Sequence, residues 1–183
     1  MTETKGLETA RFTLRKIEAG DIEILHSYWS DETVTKYMNL TFRTLDESRQ
    51  MVALLNSLSE LSEGRRWAIV DKDSGVVLGS CGYHNMKAEH RRAEIGYELG
   101  QNYWNKGIMQ EVMHAVLQHC FESLRFNRIE AFVMVGNDRS VHTLEKLGFK
   151  TEGVLREYEY TKGKFQDQFI MSLIRKDWLS LAD

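Results

Sequence analysis

The sequence predicts a mixed α/β fold in which one mostly antiparallel sheet carries helices on both faces. Segments with strand-like alternation lie on both sides of segments with helical periodicity, in the order β, α, α, β, β, β, α, β, α, β, β. No repeat, low-complexity tract or linker interrupts the 183 residues, and the chain contains no proline. We therefore expect a single domain that spans residues 1–183.

The first third of the chain predicts one strand and two helices. Residues 11–17 alternate between polar and apolar, as a half-buried strand does. Asp21 stands where a helix cap is expected, ahead of an apolar-periodic stretch. A second helical stretch begins at about Thr44, where Glu47 completes a possible capping box, and Gly64 is predicted to end it.

The remaining two thirds predict six strands and two helices, joined by segments rich in turn-forming residues. The predicted strands are 67–70, 76–83, 92–99, 128–135, about 151–160 and 165–174. One predicted helix carries a broad apolar stripe from Met109 to Leu124. The other begins at Asn137, a good N-cap residue, and ends at Leu147 with Gly148 in the C′ position.

Composition and charge exclude several classes of function. The net charge of −3 offers no general attraction to nucleic acid or to an anionic membrane, so we expect neither as a partner. Cys81 and Cys120 form no CxxC pair, and the histidines are scattered, so we expect no disulfide framework and no metal site. No apolar run is long enough to span a bilayer, and a cytoplasmic location is expected.

The segment Trp104-Asn-Lys-Gly107 joins a predicted strand to a predicted helix. The N-terminus of a helix presents free N–H groups and partial positive charge, and Gly107 lets an anion approach the backbone closely. Such a turn is more often structural than phosphate-binding. The pattern matches neither GxGxxG nor a P-loop, which disfavours a dinucleotide or NTPase site.

Five segments together resemble the GNAT acetyltransferase superfamily, and within it the RimJ/RimL-type branch that acetylates ribosomal proteins. They are Ala93-Glu-Ile-Gly-Tyr-Glu-Leu99, Tyr103-Trp-Asn-Lys-Gly-Ile-Met-Gln-Glu111, Gly136-Asn-Asp-Arg-Ser-Val141, Leu144-Glu-Lys-Leu-Gly-Phe149 and Glu152-Gly-Val-Leu-Arg-Glu157. The family's phosphate loop carries Arg or Gln, Gly, and Gly or Ala where this chain has Trp104, Gly107 and Met109. The central glycine is kept, and Gly-Ile-Met is similar to the sequence found in the RimJ/RimL-type branch.

The resemblance implies an acetyl-CoA site between two splayed central strands, 93–99 and 128–135. Backbone groups near Leu99 would pair with the pantetheine arm, as an added strand pairs with a sheet edge. Amides from Asn105 to Gln110 would hold the pyrophosphate, and Asn137 would bond the arm. The full implied set for the cofactor is Leu99, Asn105, Lys106, Gly107, Ile108, Met109, Gln110 and Asn137.

The resemblance also implies direct acetyl transfer in a ternary complex, with Ser140 acting at the thioester sulfur. Many members of the family place a tyrosine general acid where this chain has Leu144, which cannot donate a proton. A thiolate with a pKa of about 8.5 leaves readily, so a hydrogen bond from a hydroxyl is enough. Spacing alone favours a structural explanation, in which Asn137 is a helix cap and Ser140 a polar residue of the first turn.

A general base is less well defined. About a tenth of an α-amine is neutral at pH 7, whereas a lysine amine is almost entirely charged, so an α-amine needs only a modest base such as a carboxylate. Strand alternation places Glu157 and Glu159 on one face and cannot choose between them. Alignment with the RimJ/RimL-type pattern, 19 residues on from Ser140, selects Glu159. Glu94 and Tyr97 are then expected to contact the acceptor, although Glu94, Glu98 and Glu157 stay open as alternative bases.

The sequence therefore predicts an acetyl-CoA-dependent N-acetyltransferase. Its acceptor is expected to be the N-terminal α-amine of a protein. A small amine (a polyamine, an amino acid or an aminoglycoside) stays open, as does a non-catalytic acyl-CoA sensor, against which Ser140 and Glu159 weigh. The resemblance also allows a homodimer.

Overall fold

The computed structural model describes residues 6–61 and 63–181. Its helices are α1 (Ile22–Trp29), α2 (Glu32–Thr35), α3 (Leu45–Glu60), α4 (Ile108–Gln118), α5 (Asp138–Lys146) and α6 (Arg175–Leu181). Its strands are β1 (Leu7–Glu8), β2 (Phe12–Lys16), β3 (Arg65–Asp71), β4 (Val77–Lys87), β5 (Arg92–Leu99), β6 (Arg128–Met134), β7 (Lys150–Thr161) and β8 (Lys164–Ile174). One turn of π-helix, His119–Ser123, extends α4.

The eight strands form one sheet in the order β1-β2-β3-β4-β5-β6-β8-β7. Every neighbouring pair is antiparallel except β5 and β6. These two parallel strands pair only from Arg92 to Glu94 on β5 and from Arg128 to Glu130 on β6. Beyond Glu94 and Glu130 the two strands part, and we call this point the fork. The separation confirms the predicted mixed sheet, which is splayed between its two central strands.

Helices pack on both faces of the sheet, around two separate clusters of buried side chains. The larger cluster joins α4, α5 and α6 to one face and includes Val112, Met113 and Leu144. The smaller joins α1 and α3 to the other face and includes Leu25 and Trp29. Burial of these apolar side chains is the main stabilising contribution to the fold. Within the described ranges no helix is long and apolar enough to cross a bilayer.

Most predicted boundaries are confirmed. The strand at Arg92–Leu99 is found as predicted, and Thr44 and Glu47 form the capping box at the start of α3. Asn137 caps α5, and Gly148 has φ +92, the left-handed conformation that suits a residue after a helix. The sequence did not predict β1, α2 or α6, which are too short for periodicity to identify.

Two local predictions need correction. Asp21 takes the N-cap position of α1, as predicted, but its side chain makes no capping bond, because its carboxylate accepts hydrogen bonds from the Arg15 guanidinium, at 2.6 and 2.9 Å, and from the Glu18 N–H. Helix α3 ends at Glu60 rather than at Gly64, because Leu61 already closes its last turn by donating to the Ser57 carbonyl.

A third correction concerns β7. The sequence placed Glu157 and Glu159 on one face by strict alternation, but the register of β7 shifts between Leu155 and Glu159. Glu157 has φ +50, and its N–H donates to the Asp167 carboxylate at 2.7 Å. This bulge interrupts the pleat, so the two glutamates are no longer equivalent.

Candidate active site

A cleft of about 920 Å³ opens where β5 and β6 part. Its lining comes from these two strands, the first turn of α4, one side of α5 and the segment 34–38 around the end of α2. All of the residues predicted to hold the cofactor line it, as do Tyr97 and Ser140. Glu94 and Glu159 are not part of the lining.

The start of α4 is built to bind an anion. Gly107 caps the helix with φ +68, and Asn105 has φ +59, so the backbone turns sharply into the first helical turn. The first intrahelical bond runs from Glu111 N–H to the Gly107 carbonyl at 3.2 Å. The preceding amides therefore have no partner inside the helix and face the cleft. Ile108 and Met109 are buried, so they offer a ligand only their backbone.

Arg11 holds this turn in place, a role that the sequence did not reveal. Its Nε donates to Glu111 Oε2 at 2.6 Å and its backbone N–H to Glu111 Oε1 at 2.9 Å. One guanidinium nitrogen donates to the Lys106 carbonyl at 3.3 Å. The clamp fixes the loop from both sides and neutralises the carboxylate beside the anion site.

A second basic group, also missed, stands at the edge of the cleft. The guanidinium of Arg139 lies 3.3 Å from the centroid of the Trp104 ring, and the Trp104 N–H donates to the Leu99 carbonyl at 2.9 Å. With Lys106 and Lys146, which also line the cleft, Arg139 makes its outer part positive. Such a surface favours a ligand that carries several phosphates.

Ser140 is half-buried in the cleft and is held by two partners. Its N–H donates to Asn137 Oδ1 at 3.3 Å, so the Asn137 side chain serves as the cap of α5. Its Oγ is 2.9 Å from the Tyr97 hydroxyl, which reaches across from β5. Burial raises the pKa of Tyr97 to about 12, so this hydroxyl stays protonated at neutral pH and can donate to Ser140 Oγ.

The two remaining predicted carboxylates lie on one face of the sheet, on either side of the fork. Glu94 is at the last paired position of β5, and its Oε2 accepts from Asn85 Nδ2 at 3.0 Å. Burial raises its pKa. Glu159 accepts a hydrogen bond from Gln168, which is opposite Met134 of the cleft lining.

Glu98 is the only carboxylate among the described residues that line the cleft. It is buried, and its oxygens accept from Trp29 Nε1 at 3.0 Å, from Ser80 Oγ at 2.5 Å and from the Arg66 guanidinium. These donors satisfy the charge. Glu98 therefore fixes β5 to α1 and β3 rather than acting as a base.

The chain also matches, over residues 11–150, the family model described as "Acetyltransferase (GNAT) domain". This match covers most of the chain and contains the fork, the α4 turn and α5. The chain belongs to the GNAT acetyltransferase family. It is therefore an N-acetyltransferase, and its acyl donor is acetyl-CoA.

Individual relatives agree with this assignment. The acetyltransferase is 42% identical to an uncharacterised N-acetyltransferase, p20, of Bacillus licheniformis, over 94% of this chain and 97% of the relative. It is 24% identical to the ribosomal protein uS5-alanine N-acetyltransferase of Escherichia coli, over 94% and 92% of the two chains. The crystal structure of spermidine N-acetyltransferase from Vibrio cholerae with CoA and spermine superposes with a TM-score of 0.81, covering 93% and 99% of the two chains at 25% identity.

The cleft of this acetyltransferase fits acetyl-CoA. The free amides of the α4 turn suit the pyrophosphate, and the unpaired edge of β5 beyond Glu94 suits an extended arm. Acetyl-CoA, when bound, supplies a thioester with a thiolate leaving group. Tyr97 can donate to the Ser140 oxygen, which leaves the proton of Ser140 free for another acceptor in the cleft.

Proposed function

We propose that this acetyltransferase transfers acetyl from acetyl-CoA to the N-terminal α-amine of a protein. The observation that carries the proposal is the charge of the cleft. Its one carboxylate among the described lining residues, Glu98, is already bonded to three donors, so a polycation would find only Glu94 and Glu159, outside the lining, to meet its several charges. An α-amine carries a single charge and is about a tenth neutral at pH 7, so it does not need several carboxylates.

The relatives support the reaction class and allow two acceptors. The Escherichia coli relative is named for an alanine of ribosomal protein uS5, and the Vibrio cholerae structure for spermidine. A polyamine carries several positive charges and is best held by several carboxylates. The compensated charge of Glu98 therefore favours the protein acceptor for this chain.

In this proposal Ser140 donates a hydrogen bond to the leaving sulfur, and Glu159, acting through water, accepts the proton of the amine. Glu94, at the fork, contacts the incoming amine. Tyr97 orients the serine, so its role is positioning rather than the acceptor contact expected from the sequence. The support is the Tyr97–Ser140 hydrogen bond and the position of both glutamates on one face of the sheet.

The proposal also covers the cellular location and the oligomeric state of the enzyme. We expect it to work in the cytoplasm, in keeping with two buried free cysteines, Cys81 and Cys120, and to assemble as a homodimer. The assembly is tested by light scattering, in which a monomer at micromolar concentration contradicts the homodimer.

The function is tested by following CoA release with a thiol reagent, in the presence of acetyl-CoA and a panel of acceptors. The panel contains peptides with free N-termini, the same peptides with blocked N-termini, spermidine, free amino acids and an aminoglycoside. We expect turnover with the free peptides and none with the blocked ones. Turnover with spermidine alone contradicts the proposed acceptor.

A further inference from the structure

One part of the cleft has an apolar wall. Strand β6 alternates, so that Ala131 and Val133 enter the main core while Phe132 and Met134 lie on the opposite face and line the cleft. The ring of Phe132 stacks on Tyr158 of β7, with centroids 5.6 Å apart and planes 4° apart. This contact ties the wall to β7 and limits the freedom of the Phe132 ring.

The segment around the end of α2 forms a second wall. Val34, Tyr37 and Met38 line the cleft, and Met38 also packs on the smaller core cluster. The Tyr37 ring comes close to the turn before α5, with its hydroxyl 3.7 Å from the site that a Cβ on Gly136 would occupy.

This second wall is held in place by the β7–β8 turn. Lys162 Nζ donates to the Thr35 carbonyl at 2.5 Å, and Thr161 Oγ1 donates to the Asn39 carbonyl at 2.8 Å. These bonds link residues more than a hundred positions apart in the chain. The two walls are therefore joined through β7 into one surface.

These walls offer a charged acceptor side chain few ion-pair partners. A cationic side chain finds no free carboxylate among the described lining residues, since Glu98 is paired with Arg66. An anionic side chain would lose its hydration against the apolar side chains, and beside them the cation is Lys36, whose Nζ lies 5.0 Å from the centroid of the Tyr37 ring. A neutral apolar side chain gains from burial.

From these observations we infer that Val34, Tyr37, Met38, Phe132 and Met134 form a pocket for the side chain of the first residue of the acceptor. The pocket selects peptides that begin with a neutral, apolar residue, such as methionine, leucine or valine. The inference rests on the proposed function and adds the class of first residue to it.

The test compares kcat/KM for peptides that differ only in the first residue, which is leucine, methionine, aspartate or lysine, with acetyl-CoA saturating. We expect kcat/KM for the leucine and methionine peptides to exceed kcat/KM for the charged peptides by about tenfold or more, a difference that corresponds to about 1.4 kcal/mol. Equal values across the series overturn the inference and leave the proposed function intact. Turnover of spermidine with no turnover of any peptide overturns both.

A pair of matched variants separates specificity from loss of folding. Tyr37→Glu places a carboxylate in the pocket, whereas Tyr160→Glu makes the same change at a side chain that is 65% exposed and is not part of the lining. We expect Tyr37→Glu to lower kcat/KM for the leucine peptide and raise it for the lysine peptide, a reversal that misfolding cannot produce. Tyr160→Glu is expected to keep the wild-type order. An unchanged order in Tyr37→Glu, with acetyl-CoA affinity intact, contradicts the pocket.

Discussion

The Tyr97 hydroxyl lies 2.9 Å from Ser140 Oγ, so that a strand on one side of the cleft holds a hydroxyl on the other. The phenol remains protonated at neutral pH, because burial raises the pKa of Tyr97 to about 12. It can therefore donate to the serine, which in turn can donate to a leaving sulfur. In the proposed mechanism the pair supplies the hydrogen bond that the family resemblance assigns, in many other members, to a tyrosine at the position of Leu144.

Substitutions in this pair are expected to be non-additive. Ser140→Ala should lower kcat by about a hundredfold, within the range for acid–base groups, and leave the affinity for acetyl-CoA nearly unchanged. Tyr97→Phe should lower kcat by about tenfold, because it only orients the serine. Steady-state kinetics of the double variant should match Ser140→Ala alone. Two effects that multiply would show that the hydroxyls act independently.

Glu159→Gln tests the proposed base. The variant should lose activity across pH 6 to 9, with a shallower loss at high pH, where more of the α-amine is already neutral. The matched variant Glu157→Gln changes a carboxylate on the exposed bulge and should retain wild-type rates. If Glu159→Gln keeps full kcat throughout this range, the assignment is wrong and Glu94 becomes the leading candidate.

The hydrogen bonds of Arg11 with Glu111 and Lys106 predict an effect on cofactor binding, although these residues lie away from Ser140. Arg11→Ala and Glu111→Gln should each raise KM for acetyl-CoA by about tenfold, since either change frees the α4 turn from hydrogen bonds with a charged partner. The effect on kcat should be small, because neither side chain reaches Ser140. Kinetics at varied acetyl-CoA measure both quantities. Should only Arg11→Ala raise KM, the arginine acts through its own charge and not by holding the loop.

Glu152 predicts a pH-dependent contribution to stability. Hydrogen bonds from the Arg128 guanidinium hold the pKa of Glu152 at about 2, below its ordinary value of 4.5. Because the pKa is lowered on folding, the stabilisation is complete above pH 4.5 and is lost as the pH falls toward 2. Glu152→Gln should therefore be less stable than wild type in urea unfolding at pH 7, with the difference shrinking between pH 4.5 and 2. A constant difference over this range contradicts the account.

Much of the cofactor side of the cleft could be predicted from the sequence, because its signals are local. Gly107 and Asn105 specify the α4 turn through the backbone conformations they tolerate, and both have positive φ. Asn137 and Gly148 mark the two ends of α5. Such features depend on neighbouring residues alone, so a pattern within ten residues is enough to find them.

The parts that were not predicted depend on contacts between distant residues. Arg11 and Glu111 are 100 positions apart, and nothing in the sequence around Arg11 indicates the pairing. The β7 bulge arises from the Asp167 carboxylate, which lies on the next strand and captures the Glu157 N–H. Strict alternation fails at Glu157 for this reason.

The proposed acceptor nitrogen is an N-terminal α-amine. The most direct test uses a peptide with a free N-terminus and an internal lysine, incubated with enzyme and acetyl-CoA, followed by tandem mass spectrometry of the product. We expect a single acetyl group located on the first residue, with the lysine unmodified. An acetyl group on the lysine, or an unmodified peptide under conditions in which spermidine is acetylated, would contradict it.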